Sequence, residues 1–285
     1  MQFDIIATGM GFTEGPAWAP DGTLWHVSIP HSAIYNLAPD GTILNTVVTK
    51  GGPNGLAIAA DGTIFIAQNG GAYGGAADTE PGIQTYKDGR LEYILRAAGP
   101  DAPNDLCFGP DGRLYFTDPR GDDGTDPTDP SSSRPGRLYS CERDGSDLRT
   151  EWADGPTLIN GLAFNAEGDA LYVLQTMTPQ AIWRLPFSPS DGLGEPERLA
   201  DVEGFPDGMA IDVDGNIWVA STHEDAIQVL GPDGRLIKKV RLPEHSGPAN
   251  VCFGGEGLDI LFVAGSEGGR ILRADAEVPG LPLRG

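Results

Sequence analysis

The sequence predicts an all-β chain closed into a six-bladed β-propeller, and three observations predict it. A short segment recurs six times, beginning at Glu14, Asn54, Asn104, Asn160, Asp207 and Asn250, so that successive copies start 40–56 residues apart. Intervals of this size with paired strands are the signature of propeller blades. Each copy holds two strand-like apolar runs joined by an acidic-Gly turn, as in "NGLAIAADGTIFIA" from Asn54 and "NGLAFNAEGDALYV" from Asn160. Finally, 41 glycines and 24 prolines suit a chain of many tight turns, and no long stretch places apolar residues at helical spacing.

Taken in order, "FDIIATG" precedes the first copy and has no blade of its own. "EGPAWAPDGTLWHV" supplies the two inner strands of the first blade, and "AIYNLAPDGTILNTVVT" its two outer ones. The second copy is followed by a Gly-rich connection, Asn69–Gly82. The third, "NDLCFGPDGRLYFT", is followed by one rich in Asp, Pro and Ser, Pro119–Gly136. Both connections follow second strands and so rise over the same face. Insertions on one face of a repeat fold mark its binding face, and these two are expected to form a lid. In the fifth blade "DGMAIDVDGNIWVA" is followed by outer strands in "AIQVLGPDGRLIKKVRL". The sixth copy, "NVCFGGEGLDILFV", leaves too little chain for a full blade. Phe3–Ala7 is therefore expected to supply its outer strand, which removes an open sheet edge. Residues 1–285 then form a single propeller domain. "DDGTD" and "DVDGN" are not EF-hand loops: the first lacks the spacing, and the second occupies the hairpin turn found in every copy.

A net charge of −22 argues against nucleic acid and anionic membrane as partners. The N-terminus lacks a basic start followed by an apolar block, and no segment reaches membrane-spanning length, so a cytoplasmic location is expected. Of three cysteines, Cys107 and Cys252 hold the same repeat position in the third and sixth blades, across the ring from one another. They read as small buried apolar residues and not as a disulfide.

The residue that opens each copy carries the chemistry. Equivalent positions of successive blades ring the central channel, and here they are Glu14, Asn54, Asn104, Asn160, Asp207 and Asn250. All six bear side-chain oxygen. Turn preference accounts for Asn and Asp but not for Glu. Oxygen donors without imidazole or thiolate select a hard cation, and Ca²⁺ accepts six to eight of them at variable geometry. Two carboxylates, Glu14 and Asp207, offset its charge. The axis is too wide for all six to bind one ion. Water filling a polar channel is the alternative reading of the same ring.

These residues lie in motifs that resemble the SMP-30/gluconolactonase family: "EGPAW" at Glu14, "PNGLAI" at Asn54, "APNDLCFGPDGRLYFTDP" from Ala102, "NGLAF" at Asn160 and "PDGMAIDVDGNIWVA" from Pro206. The ordered set covers nearly the whole chain. The resemblance implies a calcium-dependent propeller that opens a sugar lactone, with Glu14, Asn160 and Asp207 as metal ligands. It places Asn104 as a ligand or substrate contact and Asn54 as a further substrate or water contact. Zn²⁺, Mn²⁺ and Fe²⁺ are other ions such sites accept. Animal lactonases of the family carry an Arg shortly before the third-blade Asn; here Ala102 and Pro103 stand there.

In that chemistry the ion polarises the lactone carbonyl and stabilises the oxyanion, Asp207 is the base for water, and Asn104 orients water or substrate. Polar residues at the ends of the second strands, His26–Ser28, Gln68–Asn69, Thr117–Asp118, Gln175–Thr176, Ser221–His223 and Ser266, are expected to return to the metal face. Among them His26, His223 and Asp118 are candidate substrate contacts, with Asp118 alternatively a cap on its turn. Two other functions fit the fold. A calcium phosphotriesterase of the diisopropylfluorophosphatase type would use the same site. A metal-free binding propeller would show apolar or basic residues at the channel mouth.

Overall fold

The computed structural model describes residues 1–96, 99–119, 135–282 and 284–285. A short N-terminal strand, β1 (Asp4–Ala7), precedes six sheets. The first blade runs outward from the axis as β2 (Thr13–Trp18), β3 (Leu24–Ser28), β4 (Ala33–Leu37) and β5 (Ile43–Val48). The second is β6 (Pro53–Ile58), β7 (Ile64–Gln68), β8 (Gly82–Lys87) and β9 (Arg90–Arg96), and the third is β10 (Leu106–Phe108), β11 (Leu114–Asp118), β12 (Gly136–Cys141) and β13 (Arg149–Gly155). The fourth contains β14 (Ile159–Phe164), β15 (Ala170–Gln175) and β16 (Ala181–Ser188), with β17 (Gly192–Leu193) and β18 (Glu197–Asp201) both pairing β16. β19 (Pro206–Ile211), β20 (Ile217–Ser221), β21 (Ala226–Leu230) and β22 (Leu236–Arg241) form the fifth. The last is β23 (Pro248–Gly254), β24 (Ile260–Gly265) and β25 (Arg270–Asp275), completed by β1.

The acidic-Gly turns have one recurring chemistry. In the first, Asp21 Oδ1 accepts the Thr23 amide at 3.2 Å, and Gly22 takes φ +82°, a conformation costly for any residue with a Cβ. The same contact recurs from Asp61 to Thr63, from Asp111 to Arg113 and from Asp233 to Arg235. Alternation along the strands then sends apolar side chains to both faces of every blade, because each blade packs between two others. Trp25 and Val27 of β3 join Leu56, Ile58, Ile64 and Ile66 of the second blade, whereas Leu24 faces Phe262, Ala264 and Ile271 of the sixth. The core is thus a set of apolar layers between blades.

Closure follows the sequence expectation. β1 pairs antiparallel with β25, matching Asp4 with Arg273 and Ile5 with Leu272. Trp18 stacks on Phe262 across the same seam, with ring centroids 5.5 Å apart. At the far mouth of the channel the C-terminal segment crosses the axis. Leu281 donates its amide to Ile211 and Arg284 reaches the Ala166 carbonyl, so one end is covered and the other open. The expected lid segment 119–136 lies, over residues 120–134, outside the described residues. Among the described residues no helix is long and apolar enough to cross a membrane.

Candidate active site

The ring residues enter the channel through a repeated defect in strand pairing. Between β2 and β3, Glu14 pairs with Val27 but Ala17 pairs with Trp25, so one extra residue stands on the inner strand. Equivalent bulges lie between Pro53 and Leu56, Ile159 and Leu162, Pro206 and Met209, and Pro248 and Asn250. A bulge bends its strand and re-aims a side chain, and each of these sits at a ring residue. In the third blade Asn104 precedes β10, tied to β11 by its amide on the Thr117 carbonyl at 2.9 Å. All six ring residues are buried, with 4–8% of their surface exposed.

The inner strands approach closely at this level. A Cβ on Gly161 would lie 2.6 Å from the Asp207 carbonyl oxygen, so only glycine lets Asn160 and Asp207 stand on adjoining strands. The polar ends of the second strands brace this ring instead of lining the mouth. Thr176 Oγ1 donates to the Pro206 carbonyl at 2.7 Å, Thr222 Oγ1 to that of Pro248 at 2.8 Å, and Gln68 Oε1 accepts the Gly52 amide at 2.7 Å. Each fixes backbone just ahead of a ring residue.

Five ring residues, Glu14, Asn54, Asn104, Asn160 and Asp207, line one cavity of about 360 Å³ at the open mouth. Asn250 lies deeper, where it lines a second cavity of about 110 Å³ along the axis. Asn160 Nδ2 donates to Thr176 Oγ1 at 3.1 Å, which directs its nitrogen to the ring wall and leaves Oδ1 for a ligand. Oε2 of Glu14 accepts the Gly15 amide at 2.5 Å and Asn250 Nδ2 at 2.9 Å.

Charge makes this arrangement unusual. Burial, then the charges of Asp207 and Asp105, raises the Glu14 carboxyl well above its ordinary range. Asp207 is pushed up to about 7, first by burial and then by Asp105. Asp105, itself raised to about 6 by burial, is a third carboxylate that sequence reasoning did not single out. Its signal was present: the third copy reads "ND" where four others have Gly after the ring residue. Among the described residues no Lys or Arg forms an ion pair with any of the three. Nor do the described residues bring three or more His, Cys, Asp or Glu into a metal-binding group. The donor set is a mixed one: two carboxylates with amides, all oxygen. Buried carboxylates without a cationic partner are costly, and a hard divalent cation is the group these donors fit.

The rest of the mouth is apolar. Phe12, Ile29, Leu158 and Phe205 line it, joined by Ala72 and Tyr73 from the Asn69–Gly82 connection. Phe12, Leu158 and Phe205 each stand two residues before a ring residue. Leu158 and Phe205 take φ +57° and +62°, conformations that bulky side chains adopt only where surrounding structure imposes them.

Three candidate substrate contacts are placed elsewhere. His26 is fully buried, its ring stacked on Tyr35 and Nδ1 bonded to the Val27 carbonyl at 2.9 Å, so it faces a seam between blades and not the cavity. The cause is strand alternation: His26 shares a face of β3 with Leu24. Asp118 accepts the amides of Asp101 and Ala102 at 2.9 and 2.8 Å, the turn-capping geometry. His223 is exposed on a 3₁₀ turn and stacks behind Phe205, centroids 4.5 Å apart, without lining the cavity. All three cysteines are free, and burial pushes the thiols of Cys107 and Cys252 far up.

Residues 12–267 match the model of the SMP-30/gluconolactonase/LRE-like region. The chain belongs to this family. It is 26% identical over 271 residues to pentonolactonase XacC of Haloferax volcanii, covering 93% of this chain and 85% of that one. It is also 26% identical to the gluconolactonase of Zymomonas mobilis, covering 92% and 78% respectively. Among solved structures, the gluconolactonase XC5397 of Xanthomonas campestris superposes with a TM-score of 0.77 at 26% identity, over 98% of this chain and 89% of that one. Regucalcin from Agrobacterium tumefaciens, a calcium-binding protein, shares the fold with a TM-score of 0.79 at 20% identity, over 98% and 95%.

Proposed function

We propose that the chain is a divalent-cation-dependent hydrolase that opens a sugar lactone to the aldonic acid, with Ca²⁺ as the ion. The observation that carries this reading is the meeting of two buried carboxylates, without a cationic partner among the described residues, with amide side chains at the floor of an open cavity. The relatives named above support the choice of lactones as substrates. Glu14, Asn160 and Asp207 would hold the cation, with Asn104 beside them. When bound, the ion supplies positive charge against the carbonyl oxygen on which negative charge develops.

The residues of the chain do the rest. Asp207 accepts a proton as water adds to the carbonyl carbon. The ring C–O bond then breaks, and the same proton is delivered to the departing alkoxide oxygen, leaving acid and alcohol on one molecule. An acceptor with a pKa near 7 is matched to work at neutral pH, although a cation beside it draws that value down. Asn104 and Asn54 present amides to the cavity and orient water and sugar hydroxyls. Phe12, Leu158, Phe205 and Tyr73 shield the reacting groups from bulk water.

The test is acid release from glucono-δ-lactone and a panel of aldonolactones, after EDTA and again after adding Ca²⁺, Mn²⁺ or Zn²⁺. Turnover abolished by the chelator and restored by one of the ions is the expected result. Tight cation binding without turnover on any lactone would redirect the site to phosphoesters. No cation binding at all would leave the ring as channel lining.

A further inference from the structure

Asn250 opens the sixth copy, yet it is turned differently from the other ring amides. Its Oδ1 accepts the Val251 amide at 2.8 Å, which fixes the orientation of the side chain. Nδ2 therefore points toward the adjoining first blade and donates to Glu14 Oε2 at 2.9 Å. The same amide lies near the Asp105 carboxylate and favours its charged form. One side chain thus spans two buried carboxylates that have no cationic partner among the described residues. Room for it exists because Gly208, next to Asp207, has no side chain: a Cβ there would lie 2.1 Å from Asn250 Cγ.

The consequence falls on Glu14. A carboxylate oxygen offers two lone-pair directions, and those of Oε2 are filled by Gly15 N and Asn250 Nδ2. Only Oε1 remains for a ligand. We infer that Asn250 is a positioning residue that holds Glu14 in a one-oxygen presentation to the cation and thereby sets cation affinity. The inference rests on the reading of this site as a divalent-cation site. Asn250 itself is not a ligand, since it lines the deeper cavity and its oxygen is committed to backbone.

The experiment is calorimetric titration of Ca²⁺ into the full chain as wild type, Asn250→Leu, Asn250→Asp and Gly208→Ala, with circular dichroism of each metal-free protein. Partners that orient a ligand are worth about 10- to 100-fold in metal affinity, and Asn250→Leu is expected to weaken the Kd by that factor. Saturating Ca²⁺ should return its kcat and KM toward wild type, which a damaged fold would not allow. Asn250→Asp keeps the shape but sets a carboxylate against Glu14 Oε2, so it should also weaken binding. A direct ligand would instead bind as well or more tightly with the added charge, and that outcome overturns the inference. Gly208→Ala displaces Asn250 without removing it and should weaken binding too. Unchanged Kd in folded Asn250→Leu, with normal binding by wild type, overturns this inference alone. A wild-type chain that binds no Ca²⁺ overturns the cation-site reading and this inference with it.

Discussion

Asp207 carries two duties in the proposed reaction, ligand and base, and they pull on its carboxyl in opposite directions. Burial and Asp105 raise it to about 7, while a cation would depress it. Replacing it with Asn keeps the shape and an oxygen but removes both charge and basicity. General-base removal costs about 10²–10⁴ in rate, so Asp207→Asn should lose kcat by that factor even at saturating Ca²⁺, with a weaker Kd as well. Wild-type turnover in this variant would assign the base elsewhere. Asn104→Ala, by contrast, should lower turnover and largely retain the ion. At this scale the sequence was legible where one residue type repeated in register: six oxygen-bearing residues at one repeat position stand out in a single chain. Asp105 was not, because an Asp following an Asn is an ordinary turn pair until the structure sets its charge against Glu14 and Asp207. His26 misled for a related reason. A polar residue near a strand end points to the mouth only if its alternation phase allows it, and that of His26 places it in the seam with Leu24.

Elements set the shape of the cavity through two devices. The bulge re-aims each ring residue, and the residue two places earlier forms the wall, as with Phe12, Leu158 and Phe205. Strand pattern announced the blades but concealed the bulges, since one extra residue within a buried run leaves its composition unchanged. The Asn69–Gly82 connection shows what composition can say. Its glycines marked an excursion over the site face, and the structure brings Ala72 and Tyr73 from it to the cavity wall. It is anchored at both ends, with the Gly71 amide on Asn69 Oδ1 at 2.8 Å and the Gly51 amide on Asp78 Oδ1 at 3.1 Å. Tyr73 should therefore contribute to binding more than to the chemical step. Loss of about 1–2 kcal/mol of ring contact corresponds to roughly 5- to 30-fold. Steady-state kinetics of Tyr73→Ala should show KM rising by that factor with kcat within a few-fold of wild type. A drop confined to kcat would mean that the ring acts on the reacting groups.

For the whole molecule, six blades converge on an axis that concentrates negative charge in a chain already carrying −22. Folding without a cation therefore has a pH signature. The carboxyls of Asp207 and Asp118 are raised to about 7, that of Asp105 to about 6, and that of Glu14 well above its ordinary value. A raised carboxyl stabilises the fold while it stays protonated, below its unfolded pKa near 4, and that stability is lost as pH rises through the folded value. His26, lowered from 6.5 to about 4 by burial, acts oppositely: it favours the fold above 6.5 and loses that contribution as pH falls toward 4. Four carboxyls outweigh one imidazole, so the EDTA-treated chain should melt at a lower temperature at pH 8 than at pH 5.5. Added Ca²⁺ must compete with protons for Glu14 and Asp207, and so should stabilise far more at the higher pH. At 100 times its Kd a ligand contributes about 2.7 kcal/mol, which for a chain of this size raises Tm by roughly 4–5 °C. Differential scanning calorimetry at both pH values, with and without the ion, decides the matter. An equal Ca²⁺ shift at pH 5.5 and pH 8 would mean that the ion binds without displacing protons, and so away from the buried carboxylates at the mouth.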